Sequence, residues 1–136
     1  MSRSDAPTQL VIDASALVEL LLQSEKAKKI EQAIGDAELI APDLVNLEVM
    51  QVLRKFELRG KLTRERASTA VSRLVESQIS RFSTLALLED AWSMHDNLTA
   101  YDACYVALAR EHRCELLTTD IALSQAPRLN VAVTVV

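Results

Sequence analysis

Four carboxylates carry the chemical content of this sequence. Asp13 closes the apolar run Leu10, Val11, Ile12, and Asp120 closes the segment Glu115 to Thr119. Both segments read as short buried strands, and in an open parallel sheet ligands gather beyond the carboxyl ends of the strands. An aspartate at such a junction is also a good helix N-cap, so either acid alone has a purely structural role open to it; the pair is the informative feature. Glu48 stands one turn from both Val45 and Val52, on the edge of the stripe Val45, Val49, Val52, Leu53 and Phe56. At about 100° per residue that stripe is the apolar face of a helix, which leaves Glu48 neither buried outright nor turned away. Asp102 shares a face with Tyr105, Val106 and Ala109 and has no basic residue within one turn. It fits a capping box, Thr99-x-x-Asp102, but a carboxylate heading an apolar stripe is otherwise costly unless it is paired or bound to a cation.

If the four converge, each pair of charges about 4 Å apart repels by roughly 4 kcal/mol at an effective dielectric of about 20. A divalent cation removes that penalty. Oxygen-only donors suit Mg²⁺ or Mn²⁺, and an ion held by a few carboxylates keeps waters that can be activated for attack on a phosphodiester. Removing these four from the 19 acidic residues leaves 15, equal to the number of basic ones, so the net charge of −4 can reside entirely in the site.

The elements that must position these acids alternate between strand and helix. A strand Leu10–Ile12 is followed by helices Ala14–Leu22 and Ser24–Ile34, the second with Ser24 as N-cap and Gly35 as its stop. A short strand 38–41 leads through Pro42 and Asp43 into a long helix ending near Arg59 and Gly60. Thr63 opens a helix to about Gln78; a weak strand 80–82, a helix from Leu85 to about Asn97 and a Thr99-capped helix from Ala100 to about His112 come next. The strand ending at Asp120, a helical turn to Gln125 and the β-branched run Val131–Val136 complete the pattern. Parallel neighbours need helical crossovers, so this alternation predicts one α/β domain over residues 1–136, with a mostly parallel sheet flanked by helices and a flexible N-terminus over residues 1–8.

Composition narrows the functions. With only Gly35 and Gly60, no glycine-rich loop can cradle a phosphate, which excludes P-loop and GxGxxG nucleotide sites. The longest apolar neighbourhood, Leu10 to Leu22, is interrupted by Asp13 and Glu19 and is too short for a bilayer. The opening MSRSDAPT lacks the layout of a signal peptide, which points to the cytoplasm and away from membranes. Cys104 and Cys114 fit no metal spacing and read as small reduced fillers. His95 and His112 offer a general acid and base for a metal-free ribonuclease, although both stand late in helices, where histidine is favoured electrostatically without any chemistry. Overall acidity does not advertise nucleic acid, but Arg54, Lys55, Arg59, Lys61, Arg64 and Arg66 face only Glu57 and Glu65 across their stretch. That local surplus is either a solvated surface or a phosphate-holding one, with Arg54, Arg59, Lys61 and Arg64 the residues expected to hold RNA.

The segments LVIDASALVELLL, APDLVNLEVMQVLRK, LTAYDACYVALARE and LLTTDIAL, in this order and spacing, resemble a PIN domain, and specifically the VapC-type toxins of bacterial and archaeal toxin-antitoxin systems. The resemblance runs from Leu10 to Val136. It implies a Rossmann-like PIN fold and a metal-dependent endoribonuclease that cleaves cellular RNA with Mg²⁺ or Mn²⁺. It also implies a cognate VapB-type antitoxin and a homodimer. Asp13, Glu48, Asp102 and Asp120 match the family's acidic set as catalytic, metal-holding residues, with Asp120 the least direct ligand; Ser15 and Thr118 match its supporting hydroxyls. Two other classes stand beside this expectation. One is a phosphatase with Asp13 as nucleophile, for which Ser15 occupies the place of the second acid in the Asp-x-Asp type. The other is a catalytically silent α/β binding module whose acids are only caps.

Overall fold

A computed structural model describes residues 8–136. Five strands form one sheet: β1 (Gln9–Ile12), β2 (Glu38–Pro42), β3 (Ser80–Phe82), β4 (Glu115–Thr118) and β5 (Val133–Val135). Every pairing is parallel, and the spatial order is β3-β2-β1-β4-β5. The chain winds outward from β1 to β3, returns to β1's other side as β4, and winds outward again. The winding therefore changes direction between β1 and β4, where an open α/β sheet leaves a crevice beyond its strand ends. Leu116 and Leu117 of β4 lie level with Val11 and Ile12 of β1, so Asp13 and Thr118 leave the sheet abreast.

Among the described residues seven helices flank the sheet: α1 (Ala14–Leu22), α2 (Ala27–Ile34), α3 (Val45–Leu58), α4 (Arg64–Glu76), α5 (Leu88–Trp92), α6 (Ala100–His112) and α7 (Ile121–Ser124), with a 3-10 turn over Leu85–Leu87 ahead of α5. Helix α6 packs on β1 and β2, and α1 packs against β4, α2, α3 and α4. From Ala103 through Ala109 every residue of α6 is buried, which suits a run of small and aliphatic side chains enclosed on all sides. Helix α3 is amphipathic in the expected way: Val45, Val49 and Leu53 are buried, Val52 and Phe56 half-buried, and Glu48 half-buried at the margin. Among the described residues no helix is long and apolar enough to cross a membrane.

Several expected boundaries shift. Ser24 does not cap α2; its carbonyl accepts the Ala27 N–H and its hydroxyl the Lys26 N–H, closing a turn before the helix begins. Pro42 belongs to the end of β2, and Asp43 accepts the Thr84 N–H at 3.3 Å instead of opening α3. The helix expected from Leu85 to Asn97 ends at Trp92 and continues as turns, because the Ser93 N–H is shared between the Glu89 and Asp90 carbonyls and Met94, His95 and Asn97 donate to carbonyls three residues back. Thr63 and Thr99 cap as their positions predict, accepting the Arg66 and Asp102 N–H groups. Of the N-terminal segment expected to be flexible, residues 1–7 lie outside the described residues. Thr8 is already held, its carbonyl accepting the Glu38 N–H at 2.7 Å.

Candidate active site

The loop after β1 makes Asp13 the N-cap of α1 and leaves it only 6% exposed. One carboxylate oxygen, Oδ1, accepts the Ala16 N–H at 3.0 Å and the Ser15 hydroxyl at 2.7 Å; Oδ2 accepts the Thr118 hydroxyl. Each of those hydroxyls has a single proton, and both protons are committed to Asp13. Their lone pairs face the other strand end: Ser15 Oγ accepts the Thr119 N–H at 3.1 Å and Thr118 Oγ1 the Asp120 N–H at 2.9 Å. Ser15 and Thr118 thus stitch the β1–α1 corner to the β4–α7 corner across the sheet's reversal point. Three of the roughly four lone-pair positions of the Asp13 carboxylate are filled, and one on Oδ2 is free.

The other acids arrive from three further elements. Glu48 Oε1 on α3 accepts the Tyr105 hydroxyl at 2.6 Å. Asp102 sits in the first turn of α6, where the positive end of the helix favours a carboxylate. Only half of the possible capping box forms there: Thr99 accepts the Asp102 N–H at 3.1 Å, and the Thr99 N–H does not return to the carboxylate. Asp120 caps α7, accepting the Ala122 N–H at 2.9 Å, and is exposed. Asp13, Glu48, Asp102 and Asp120 line one concavity of about 780 Å³, together with Ser15, Leu47, Met50, Gln51, Arg54, Lys55, Tyr101 and Tyr105.

Among the described residues no ion pair compensates these four carboxylates. Burial raises the carboxyl pKa of Asp13, Glu48 and Asp102, and the acids add to it mutually: Asp120 acts on Asp13, Asp102 and Asp13 act on Glu48, and Asp120 and Asp13 act on Asp102. Hydrogen bonds from Thr118, Ala16 and Ser15 offset part of the rise at Asp13 and the Tyr105 phenol part of it at Glu48. No basic side chain offsets any of the three; Arg54 and Lys55 are at the rim, extended into solvent. An all-oxygen donor set, free lone pairs and unbalanced negative charge fit a hard divalent cation. Among the described residues no three acidic, histidine or cysteine side chains lie close enough to grip one ion by themselves. That spacing suits a cation such as Mg²⁺, which keeps much of its water shell and takes one or two carboxylates directly.

The remaining expected residues are divided. Arg54 reaches the concavity and Lys55 joins it, whereas Arg59, Lys61 and Arg64 lie beyond it, past the end of α3; Arg64 pairs loosely with Glu57 at 3.7 Å. Arg66 is spent on structure, donating to the Leu22 carbonyl at the end of α1. His95 stacks on Trp92 and His112 packs edge-on to Phe82; neither lines the concavity, so the acid–base pair of a metal-free ribonuclease is not assembled. Tyr105 reads from the sequence only as a member of an apolar stripe. The signal lay in its type: a tyrosine in a face otherwise made of Val and Ala needs a partner for its hydroxyl once buried.

A family model described as the PIN domain matches residues 10–129. The chain belongs to the PIN-domain family. Ribonuclease VapC9 of Mycobacterium tuberculosis is 35% identical over 127 residues, spanning 93% of this PIN domain and 98% of the relative. Among solved structures, PAE2754 from Pyrobaculum aerophilum superposes with a TM-score of 0.66 at 23% identity, covering 93% of this chain and 83% of that one. A toxin-antitoxin complex from Klebsiella pneumoniae does so with a TM-score of 0.64 at 20% identity, over 92% and 95% of the two chains. These two structures share this PIN domain's fold.

Proposed function

We propose that this PIN domain is a toxin of the VapC kind, an endoribonuclease dependent on a divalent cation and held inactive by a cognate antitoxin. The observation that carries the reading is the meeting of four carboxylates, from four separate elements, in one concavity at the reversal point of a parallel sheet, with no ion pair to any of them among the described residues. Caps do not require that arrangement. A phosphatase of the Asp-x-Asp type would need an acid at position 15, and Ser15 is occupied in donating to Asp13. The 35% identity to a ribonuclease over nearly the whole chain supports the same activity.

Asp13, Glu48 and Asp102 would surround the cation, Mg²⁺ or Mn²⁺, one or two of them directly and the rest through its water shell, with Asp120 at the exposed side. When bound, such an ion supplies Lewis acidity toward the phosphodiester and lowers the pKa of water enough for it to attack phosphorus. The chain's own residues do the rest. Ser15 and Thr118 fix the Asp13 carboxylate, so its free lone pair keeps one direction. Arg54 and Lys55 stand beside the acids at the rim, where they neutralise RNA phosphates flanking the one to be cut. The whole chain, residues 1–136, acts as one domain in the cytoplasm. A homodimer completes the reading, supported by the exposed stripe Leu85, Leu88 and Trp92 at helical spacing along the 85–92 segment.

Incubation of the purified chain with total cellular RNA, with Mg²⁺ or Mn²⁺ and with chelator, tests the reading when new RNA ends are mapped. Discrete ends that appear only with metal are expected. Intact RNA under every condition, or cleavage indifferent to chelator, would overturn it. Sedimentation of the same preparation reads the oligomeric state.

A further inference from the structure

The hydroxyl of Tyr105 occupies a position that its fold role does not require. The ring is 1% exposed and fills the core as a phenylalanine would. Its oxygen, however, donates to Glu48 Oε1 at 2.6 Å and lies within reach of the Ala14 backbone N–H, at the first residue after Asp13. Tyr105 itself stands three residues beyond Asp102 on α6, on the same helical face. One phenol therefore touches, or is carried by, the three elements that bring Asp13, Glu48 and Asp102 to the concavity.

We propose that Tyr105 is a positioning residue for the cation site, holding Glu48 by Oε1 so that Oε2 is presented to the ion; this rests on the reading of the concavity as a metal site. Glutamate has three side-chain torsions, and Glu48 is only half-buried on the margin of α3, where packing alone does not select a rotamer. Among the described residues no hydrogen bond reaches Oε2. The phenol thus removes the freedom of one carboxylate oxygen and leaves the other for coordination. Partners of this type, which orient a ligand without touching the metal, typically change affinity by about 10–100-fold when removed.

The test is Mn²⁺ binding by the purified full chain, measured by calorimetry and by the electron paramagnetic resonance of free Mn²⁺. Tyr105→Phe is expected to weaken Mn²⁺ by about tenfold or more. Cleavage is expected to recover in excess metal, with the KM for RNA unchanged. The effect must run through Glu48: in a Glu48→Ala background, Tyr105→Phe should change Mn²⁺ affinity by less than about twofold, the scale of additive, uncoupled sites. Parental affinity in folded Tyr105→Phe, or an equal loss in the Glu48→Ala background, would overturn the assignment. Melting in chelator reports whether Tyr105→Phe folds. Should it not, the parent with ¹³C-labelled tyrosine supplies the answer: the Tyr105 Cζ resonance should move as Mg²⁺ is added, and a stationary resonance overturns the assignment. Asp13→Asn separates the two failures. If it binds Mn²⁺ like the parent, the metal site is wrong; if it loses Mn²⁺ while Tyr105→Phe does not, only the role of Tyr105 is wrong.

Discussion

Asp13, Glu48 and Asp102 differ in how much protein each one holds on to, and their substitutions should differ accordingly. Asp13→Asn, Glu48→Gln and Asp102→Asn each remove ionic charge with little change of shape, and each is expected to abolish RNA cleavage in Mg²⁺ while circular dichroism stays that of the parent. Full activity in all three would exclude the acidic site. Asp102→Asn should also raise stability in chelator, since its carboxylate gains no backbone partner and feels both Asp120 and Asp13. Burial and these charges raise its pKa above the ordinary 3.8. The protonated form is therefore favoured by folding; that contribution is complete below pH 3.8 and is lost as pH rises through the raised value. The melting curves of variant and parent should coincide at low pH and separate upward, by about 3 °C for each kcal/mol of relieved repulsion in a chain of this size. Mg²⁺ should close the gap, and a gap that persists in Mg²⁺ would mean that the repulsion is not what the ion relieves. At this scale the four acids were legible from their positions after strands and at the edges of helical stripes. Tyr105 was not, because periodicity classes a tyrosine with its apolar neighbours and says nothing of where the hydroxyl goes.

Helix α3 carries both an acid and cations at the same concavity, Glu48 together with Arg54 and Lys55, and just under two turns of helix set their separation. The surplus of positive charge was legible in the sequence, but its division was not: whether a basic residue serves RNA or the fold depends on what the following turn brings near it. Arg66 is consumed by the Leu22 carbonyl and Arg64 leans on Glu57, facts that belong to tertiary packing. Replacing Arg54 and Lys55 with alanine should weaken RNA binding across sequences and flatten its dependence on log salt by about 0.7 units for each lost single-strand contact. Metal affinity should stay at the parental value, and binding with an unchanged salt slope would place the RNA away from α3. The same measurement on Arg59, Lys61 and Arg64 shows how far the RNA runs beyond the concavity. Elements were otherwise read well where caps and apolar period agreed, as at α1, α4 and α6. Cap and period part company at Ser24 and after Trp92, where polar side chains and backbone groups close turns that mimic a helix in sequence.

The molecule as a whole presents a negative concavity ringed by exposed apolar side chains, Leu47, Met50 and Tyr101 among them. An antitoxin suited to it would place an arginine or lysine among the carboxylates and cover the apolar rim, each arm strengthening the other as water is excluded. Purification of the natively encoded pair is expected to yield a tight, inactive complex that resists separation, whereas recovery of only free active chain would count against such a partner. The fold class was legible from the alternation of strands and helices alone. The strand order was not, since no local pattern says that β4 returns to the inner side of β1 instead of extending the sheet from β3.

That return has a consequence in time. The hydroxyl of Thr118 meets Asp13 across 105 residues of chain, and Asp120, which completes the acidic set, follows it. During synthesis, the first acid and its helix emerge long before the strand that organises them, and the contacts that close the longest loop are among the last to be gained. A partly made chain thus contains Asp13, Glu48 and Asp102 without the clasp that aims them. For the RNA-cleaving activity proposed above, topology acts as a delay: the site is assembled only after β4 has left the ribosome that is building it.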